Sequence, residues 1–142
     1  MNLEVDLLPP QMIGTPFGAR LTFVTTGGTF EGERLRGELL PGGGDWLEVG
    51  SDSVGHLNVR ATLRTHDGEL IHMQTRGVAR LDEDARARFL SGGSVAMDEM
   101  YARTQLRFQT GAEDYAWLNS IVTVAKNEFG PNHVSYRVFE VL

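Results

Sequence analysis

The chain has 142 residues, 41% of them apolar and 23% charged, and a formal net charge of -6. One domain over residues 1-142 is the simplest organisation, with enough chain to bury a core unaided. The absence of cysteine excludes disulfides, thiolate metal sites and a cysteine nucleophile, and the acidic balance argues against a nucleic-acid partner.

No apolar run reaches the ~18 residues of a membrane helix, and the first residues lack a basic-then-apolar leader pattern. The expectation is therefore no membrane partner and a cytoplasmic location. In chain order, Leu3, Val5 and Leu7 alternate before Pro9-Pro10, which predicts a first strand that Pro9 stops. Arg20 to Thr26 predicts a second, with Leu21 and Phe23 on one face and Arg20, Thr22 and Val24 on the other. Gly27-Gly28 reads as a two-residue hairpin turn. Phe30 to Leu40 reads as the returning strand, bulged at Gly32 and Gly37. A loop, Pro41-Gly42-Gly43-Gly44, leads to a strand from Asp45 to Val49.

The strongest hairpin signal is Asp67-Gly68 between two β-patterned runs, His56 to Leu81. Read as a type I′ turn, it pairs Leu63 with His72, Ala61 with Gln74 and Arg60 with Thr75. That register gives two faces of mixed polarity, which resembles a barrel with a partly polar lumen more than a sheet over an apolar core. One short helix is predicted from Asp82 to Leu90, capped by Asp82 and ended by Gly92-Gly93. Tyr101 to Thr110 alternates as a strand. Tyr115 to Lys126 and His133 to Leu142 read as closing strands around a Gly130-Pro131-Asn132 turn. Eight to ten short, evenly spaced strands predict an all-β fold, a single antiparallel barrel or a sandwich.

Four blocks resemble the domain-of-unknown-function 3237 family: Leu35-Arg36-Gly37-Glu38-Leu39-Leu40-Pro41-Gly42-Gly43-Gly44-Asp45-Trp46, Leu57-Asn58-Val59-Arg60, Thr65-His66-Asp67-Gly68 and Tyr115-Ala116-Trp117-Leu118-Asn119. They fall in family order. The resemblance implies a small calycin-like β-barrel of bacterial or fungal origin, and little about activity. It favours a role for Arg60. His72 departs from the family pattern, which more often has an aromatic there.

Asp45-Trp46 ends a glycine-rich loop where backbone can approach a ligand and a carboxylate can act as base; the alternative is an Asp bonded to turn amides and a Trp packed at a rim. Arg60, mid-strand, would fix an anion if it faced a lumen, and is a solvated charge if it does not. His72 is a second candidate base, or a satisfied structural histidine. Arg60 and His72 fall on opposite faces of the regular hairpin, so both enter a lumen only across a bulge. Tyr115, Trp117 and Asn119 alternate onto one strand face; with Tyr101 they suit a ligand wall or a packed core. The expected site is thus Asp45, Arg60 and His72 as catalytic residues, with Trp46, Tyr101, Trp117 and Asn119 as substrate contacts. The histidine spacing suits no metal, and the chemistry envisaged needs no cofactor. Two functions compete: a cofactor-independent isomerase, lyase or cyclase acting on a small carbonyl, phenolic or polyketide-like compound, and a non-catalytic carrier or sensor of an apolar organic acid. Either is compatible with a homodimer.

Overall fold

The computed structural model describes residues Met1 to Leu142. Ten strands occur: β1 (Asn2–Leu7), β2 (Gln11–Thr15), β3 (Gly18–Glu31), β4 (Arg36–Leu39), β5 (Gly44–Gly50), β6 (Gly55–Thr65), β7 (Leu70–Leu81), β8 (Met100–Gln109), β9 (Thr123–Gly130) and β10 (His133–Glu140). They form a closed eight-stranded antiparallel barrel with two extra strands. The 14-residue β3 is the spine. Its first half pairs with β2 on one side and β5 on the other, and its second half pairs with β1 and β4. From β4 and β5 the sheet runs through β6, β7, β8, β9 and β10, and β10 returns to β1. No helix is long and apolar enough to cross a membrane.

The expected Gly27-Gly28 hairpin does not form. Both glycines lie inside β3 at φ 158°, where β1 crosses and the ladder slips between Asp6 and Leu7. A Cβ on Gly28 would lie 2.1 Å from the Glu4 carbonyl oxygen, so the position is set by strand crowding. The chain turns later, where the Gly32 N–H donates to the Leu35 carbonyl at 2.9 Å.

The β6–β7 hairpin differs from expectation by one residue, with large consequences. Arg64 pairs with Leu70 and Leu63 with Ile71, so the loop is three residues, His66-Asp67-Gly68. Only Gly68 has positive φ, at 93°, the pattern of a type I turn closed by a glycine bulge. The Thr65 hydroxyl selects this loop: it accepts from the Glu69 N–H at 2.9 Å and donates to Asp67 Oδ1. A one-residue slip moves every side chain of a strand to the other face. Ile71, Met73 and Thr75 therefore join Leu57, Val59, Ala61 and Leu63 inside, all buried. His72, Gln74 and Arg76 turn outward with Arg60 and Arg64. The faces separate cleanly after all. No atom lies within 4 Å of a Cβ built on Gly68, so Gly68→Val tests backbone conformation alone. It should destabilise by more than about 1 kcal/mol, the cost of forcing a β-branched residue to positive φ, read as a lowered melting temperature; an unchanged one would contradict the turn.

The helix forms as expected, α1 over Glu83–Leu90. Asp82 Oδ1 accepts from the Ala85 N–H at 2.8 Å, and Gly92 follows the helix at φ 81°. Of the closing strand expected over Tyr115 to Lys126, the first part is instead a 3-10 helix, Glu113–Ser120, and the strand, β9, begins only at Thr123. The buried residues of this helix, Tyr115 and Leu118, are three apart, the 3-10 repeat. The Tyr115 hydroxyl donates to Asp67 Oδ1 at 2.9 Å, and Asn119 both donates to and accepts from the Thr110 backbone at 2.9 Å. This helix therefore packs beside the β6–β7 turn, at one end of the barrel. α1, which follows the far end of β7, sits at the other.

Tight packing fills the 3-10 end. Leu3, Phe30, Leu63, Ile71, Leu106 and Phe108 are at most 3% exposed. The outer wall of β6, β7 and β8 is unusual in charge. Each strand carries two outward arginines, Arg60 and Arg64, Arg76 and Arg80, Arg103 and Arg107, and none contains an Asp or Glu.

A candidate active site in the barrel lumen

Below α1 the barrel is not filled. A cavity of about 480 Å³ opens in the lumen, and 20 of its 33 lining residues are hydrophobic, the balance of a small-molecule site. Its walls include Leu21, Leu57, Val59, Met73, Ala79 and Leu81, and α1 covers it with Phe89 and Leu90. Phe89 rests against Phe129 with ring centroids 5.6 Å apart.

Asp45 is set into this apolar wall. β5 alternates Asp45, Leu47 and Val49 inward with Trp46 and Glu48 outward. The glycines before it let backbones meet: a Cβ on Gly43 would lie 2.4 Å from the Arg60 carbonyl oxygen, and one on Gly44 2.3 Å from that of Phe23. The loop thus packs strands together and delivers Asp45 to the lumen. Asp45 Oδ1 accepts from the Asn58 N–H at 3.0 Å. Burial raises its pKa to about 6, outweighing that hydrogen bond, which acts to lower it.

Two lumen residues were not anticipated. Tyr136 on β10 is 3% exposed and lines the cavity. Burial, and then the charge of Asp45, holds its phenol above the usual tyrosine range, so it remains a proton donor. Thr25 on β3 lines the same space. The available signal was polarity in inward phase: Thr25 continues the Leu21, Phe23 face, and Tyr136 sits between Val134 and Val138. At the mouth stand Arg86 and His133. Burial lowers the His133 pKa, but hydrogen bonds to Glu4 at 2.7 Å and Asp6 at 3.0 Å prevail and raise it.

Of the seven residues expected to share a cavity, the lumen receives Asp45 alone. Trp46 is the outward neighbour of Asp45 and is 41% exposed. The Arg60 guanidinium lies outside, 5.8 Å from the Trp46 ring centroid. His72 is exposed opposite Thr62; the register, shifted by one residue, puts Arg60 and His72 on the same outer face, so neither enters. Tyr101 also faces out, between Arg80 at 4.6 Å and Arg103 at 5.0 Å. Trp117 packs under Arg34, 3.6 Å from its ring centroid, and Asn119 holds the 3-10 helix to Thr110. These two fail to share a wall because their segment is helical.

The chain is 28% identical over 137 residues to a UPF0311 protein of Rhodopseudomonas palustris, covering 96% of this chain and 88% of that one. Its fold matches the crystal structure of a beta-barrel like protein from Acinetobacter baumannii with a TM-score of 0.82 and 32% identity, over 98% of this chain and 90% of that one. A shorter match, 29% identical over 91 residues, covers 61% of this chain and 49% of the "PR-toxin biosynthesis cluster protein 7" of Penicillium roqueforti. The profile described as "Protein of unknown function (DUF3237)" spans residues 1–141. The chain therefore belongs to the DUF3237 family.

Proposed function

We propose that the barrel is a cofactor-independent enzyme of the isomerase, lyase or cyclase type, moving a proton within a small carbonyl or phenolic compound, with Asp45 as the base. The observation that carries this reading is the Asp45 carboxyl buried in a cavity walled mostly by hydrophobic residues, where burial raises its pKa to about 6. A general base works best with a pKa near the operating pH, and burial has moved this one there. Asp45 takes a proton from carbon beside a carbonyl; the C–H electron pair becomes a C=C bond as the carbonyl π pair moves onto oxygen, giving an enolate, and Asp45 returns the proton to a second position. Tyr136 supplies a neutral donor in the same lumen. The printed name of the Penicillium roqueforti relative, a biosynthesis cluster protein, supports a role in small-molecule metabolism.

The test is deuterium exchange at the C2 position of 1-tetralone, an apolar enolisable ketone, followed by proton NMR in D₂O. Wild type should accelerate exchange, with a rate that rises with pH through about 6. Asp45→Asn should lower it by about 10²–10⁴-fold, the usual contribution of a general base. Wild-type exchange no faster than buffer, or an unaffected Asp45→Asn variant, would reject the catalytic reading.

A further inference from the structure

We infer that the lumen takes a neutral, largely apolar ketone, and that the Tyr136 hydroxyl donates to its carbonyl oxygen while its acidic carbon faces Asp45. This rests on the reading of the lumen as an active site, and names its substrate class and a second residue on the reacting atoms. Four buried side-chain polar atoms have under 1 Å² of accessible surface and no partner: Thr25 Oγ1, Asn58 Oδ1, Thr75 Oγ1 and Asn127 Nδ2. They are sealed off. The Tyr136 hydroxyl is not among them. Burial and the charge of Asp45 act on its phenol, and no hydrogen bond does. It is thus unpaired but open, and the space that Tyr136 lines is the lumen.

Its neighbours offer it no acceptor. Across β1 it pairs with Leu3, and across β9 with Asn127. The Asn127 amide oxygen already accepts from the Thr104 hydroxyl at 3.2 Å. A donor held in an apolar wall without an acceptor is matched by a ligand oxygen. Asp45 stands on the far side. β5 adjoins β3, β3 adjoins β1 and β1 adjoins β10, so the two residues are three strands apart in a ring of eight. They face each other across a lumen that, in an eight-stranded barrel, holds one small ligand. A ketone spans this gap with its oxygen on Tyr136 and its α-carbon on Asp45.

The two groups then act together. As Asp45 takes the α-proton, the C–H pair becomes a C=C bond and the carbonyl π pair moves onto oxygen. Tyr136 keeps its proton and strengthens its hydrogen bond to that oxygen as charge develops there. Charge sets the rest of the class. The cations lining the cavity, Arg86 and His133, stand at its mouth, and His133 is engaged by Glu4 and Asp6. A carboxylate beside Asp45 would be a buried charge without a partner, which is costly.

Three probes of one shape test this by equilibrium dialysis at about pH 7.5: 1-tetralone, tetralin and 1,2,3,4-tetrahydro-1-naphthoate. Wild type should bind the ketone about fivefold tighter than the hydrocarbon, the worth of one hydrogen bond, and the carboxylate weakest. Tyr136→Phe should erase the preference for the ketone. The infrared carbonyl stretch of bound 1-tetralone should lie lower in wild type than in Tyr136→Phe. In the deuterium-exchange assay Tyr136→Phe should lower kcat by about 10²–10³-fold, the loss of one oxyanion donor, while KM rises only about fivefold. Equal binding of ketone and hydrocarbon by wild type would overturn the inference, and that comparison needs no variant. An unshifted carbonyl stretch or tightest binding of the carboxylate would overturn it too. Exchange that depends on Asp45 but is untouched in Tyr136→Phe overturns the inference and leaves the catalytic reading standing. Ketone preference and a shifted stretch without exchange do the reverse. Failure of 1-tetralone to bind rejects both.

Discussion

Asp45→Asn should be more stable than wild type above pH 6, by up to about 3 kcal/mol. The folded state raises this carboxyl from 3.8 to about 6, a gap of roughly two units, each worth about 1.4 kcal/mol. Between those values the folded chain keeps a proton that the unfolded chain has lost. Wild-type stability from this group is therefore fullest below pH 4 and falls as pH rises to 6. Asparagine cannot titrate, and its amide oxygen can still accept from the Asn58 N–H. Urea denaturation from pH 4 to 8 measures the difference between the two proteins. That difference should grow through pH 4 to 6 in favour of Asp45→Asn and then level off; a constant difference would show that the carboxyl is not shifted. On the proposed reading of Asp45 as the base, this loss of stability is the pattern expected where activity opposes packing.

Phe30→Ala should cost about 3–5 kcal/mol, the range for removing a buried ring and leaving a cavity. Phe30 is 2% exposed and pairs with Leu3 on β1 and Gly37 on β4. Gly37 has room for no side chain, since a Cβ there would lie 2.8 Å from Phe30 Cζ. Phe30 lies outside the lumen cavity, so the 1-tetralone exchange rate should stay within about twofold of wild type. Phe30→Leu, a smaller loss of volume, should fall between the two in urea denaturation. A Phe30→Ala loss below about 1 kcal/mol would mean that the 3-10 end of the barrel is not its packed core.

These two residues show what the sequence made legible. Local alternation located β1, the first half of β3, β5, β8 and β10, and the Asp82 cap located α1. Alternation and the glycine loop also singled out Asp45. Register did not follow, because an Asp-Gly pair closes a two-residue or a three-residue loop and the choice rests on the Thr65 hydroxyl. That single residue decided the faces of Arg60 and His72. Tyr115, Trp117 and Asn119 are two apart, while the buried pair Tyr115 and Leu118 is three apart. A short segment satisfies both periods, and tertiary contact with Asp67 decides between them. Thr25 and Tyr136 were hidden for another reason: a polar residue in inward phase marks a cavity only once the cavity is known.

The outward arginines of β6, β7 and β8 make the molecule electrically lopsided. All 19 acidic residues lie off these three strands, so the charge of -6 is an average over a positive flank and a strongly negative remainder. Within a Debye length, about 8 Å at physiological salt, an approaching ion meets the local flank and not the sum. In dilute salt the barrel is torqued as it nears a charged surface, turning the β6–β8 wall toward an anion and the rest toward a cation. Its isoelectric point predicts neither the side it presents nor the sign of the first contact.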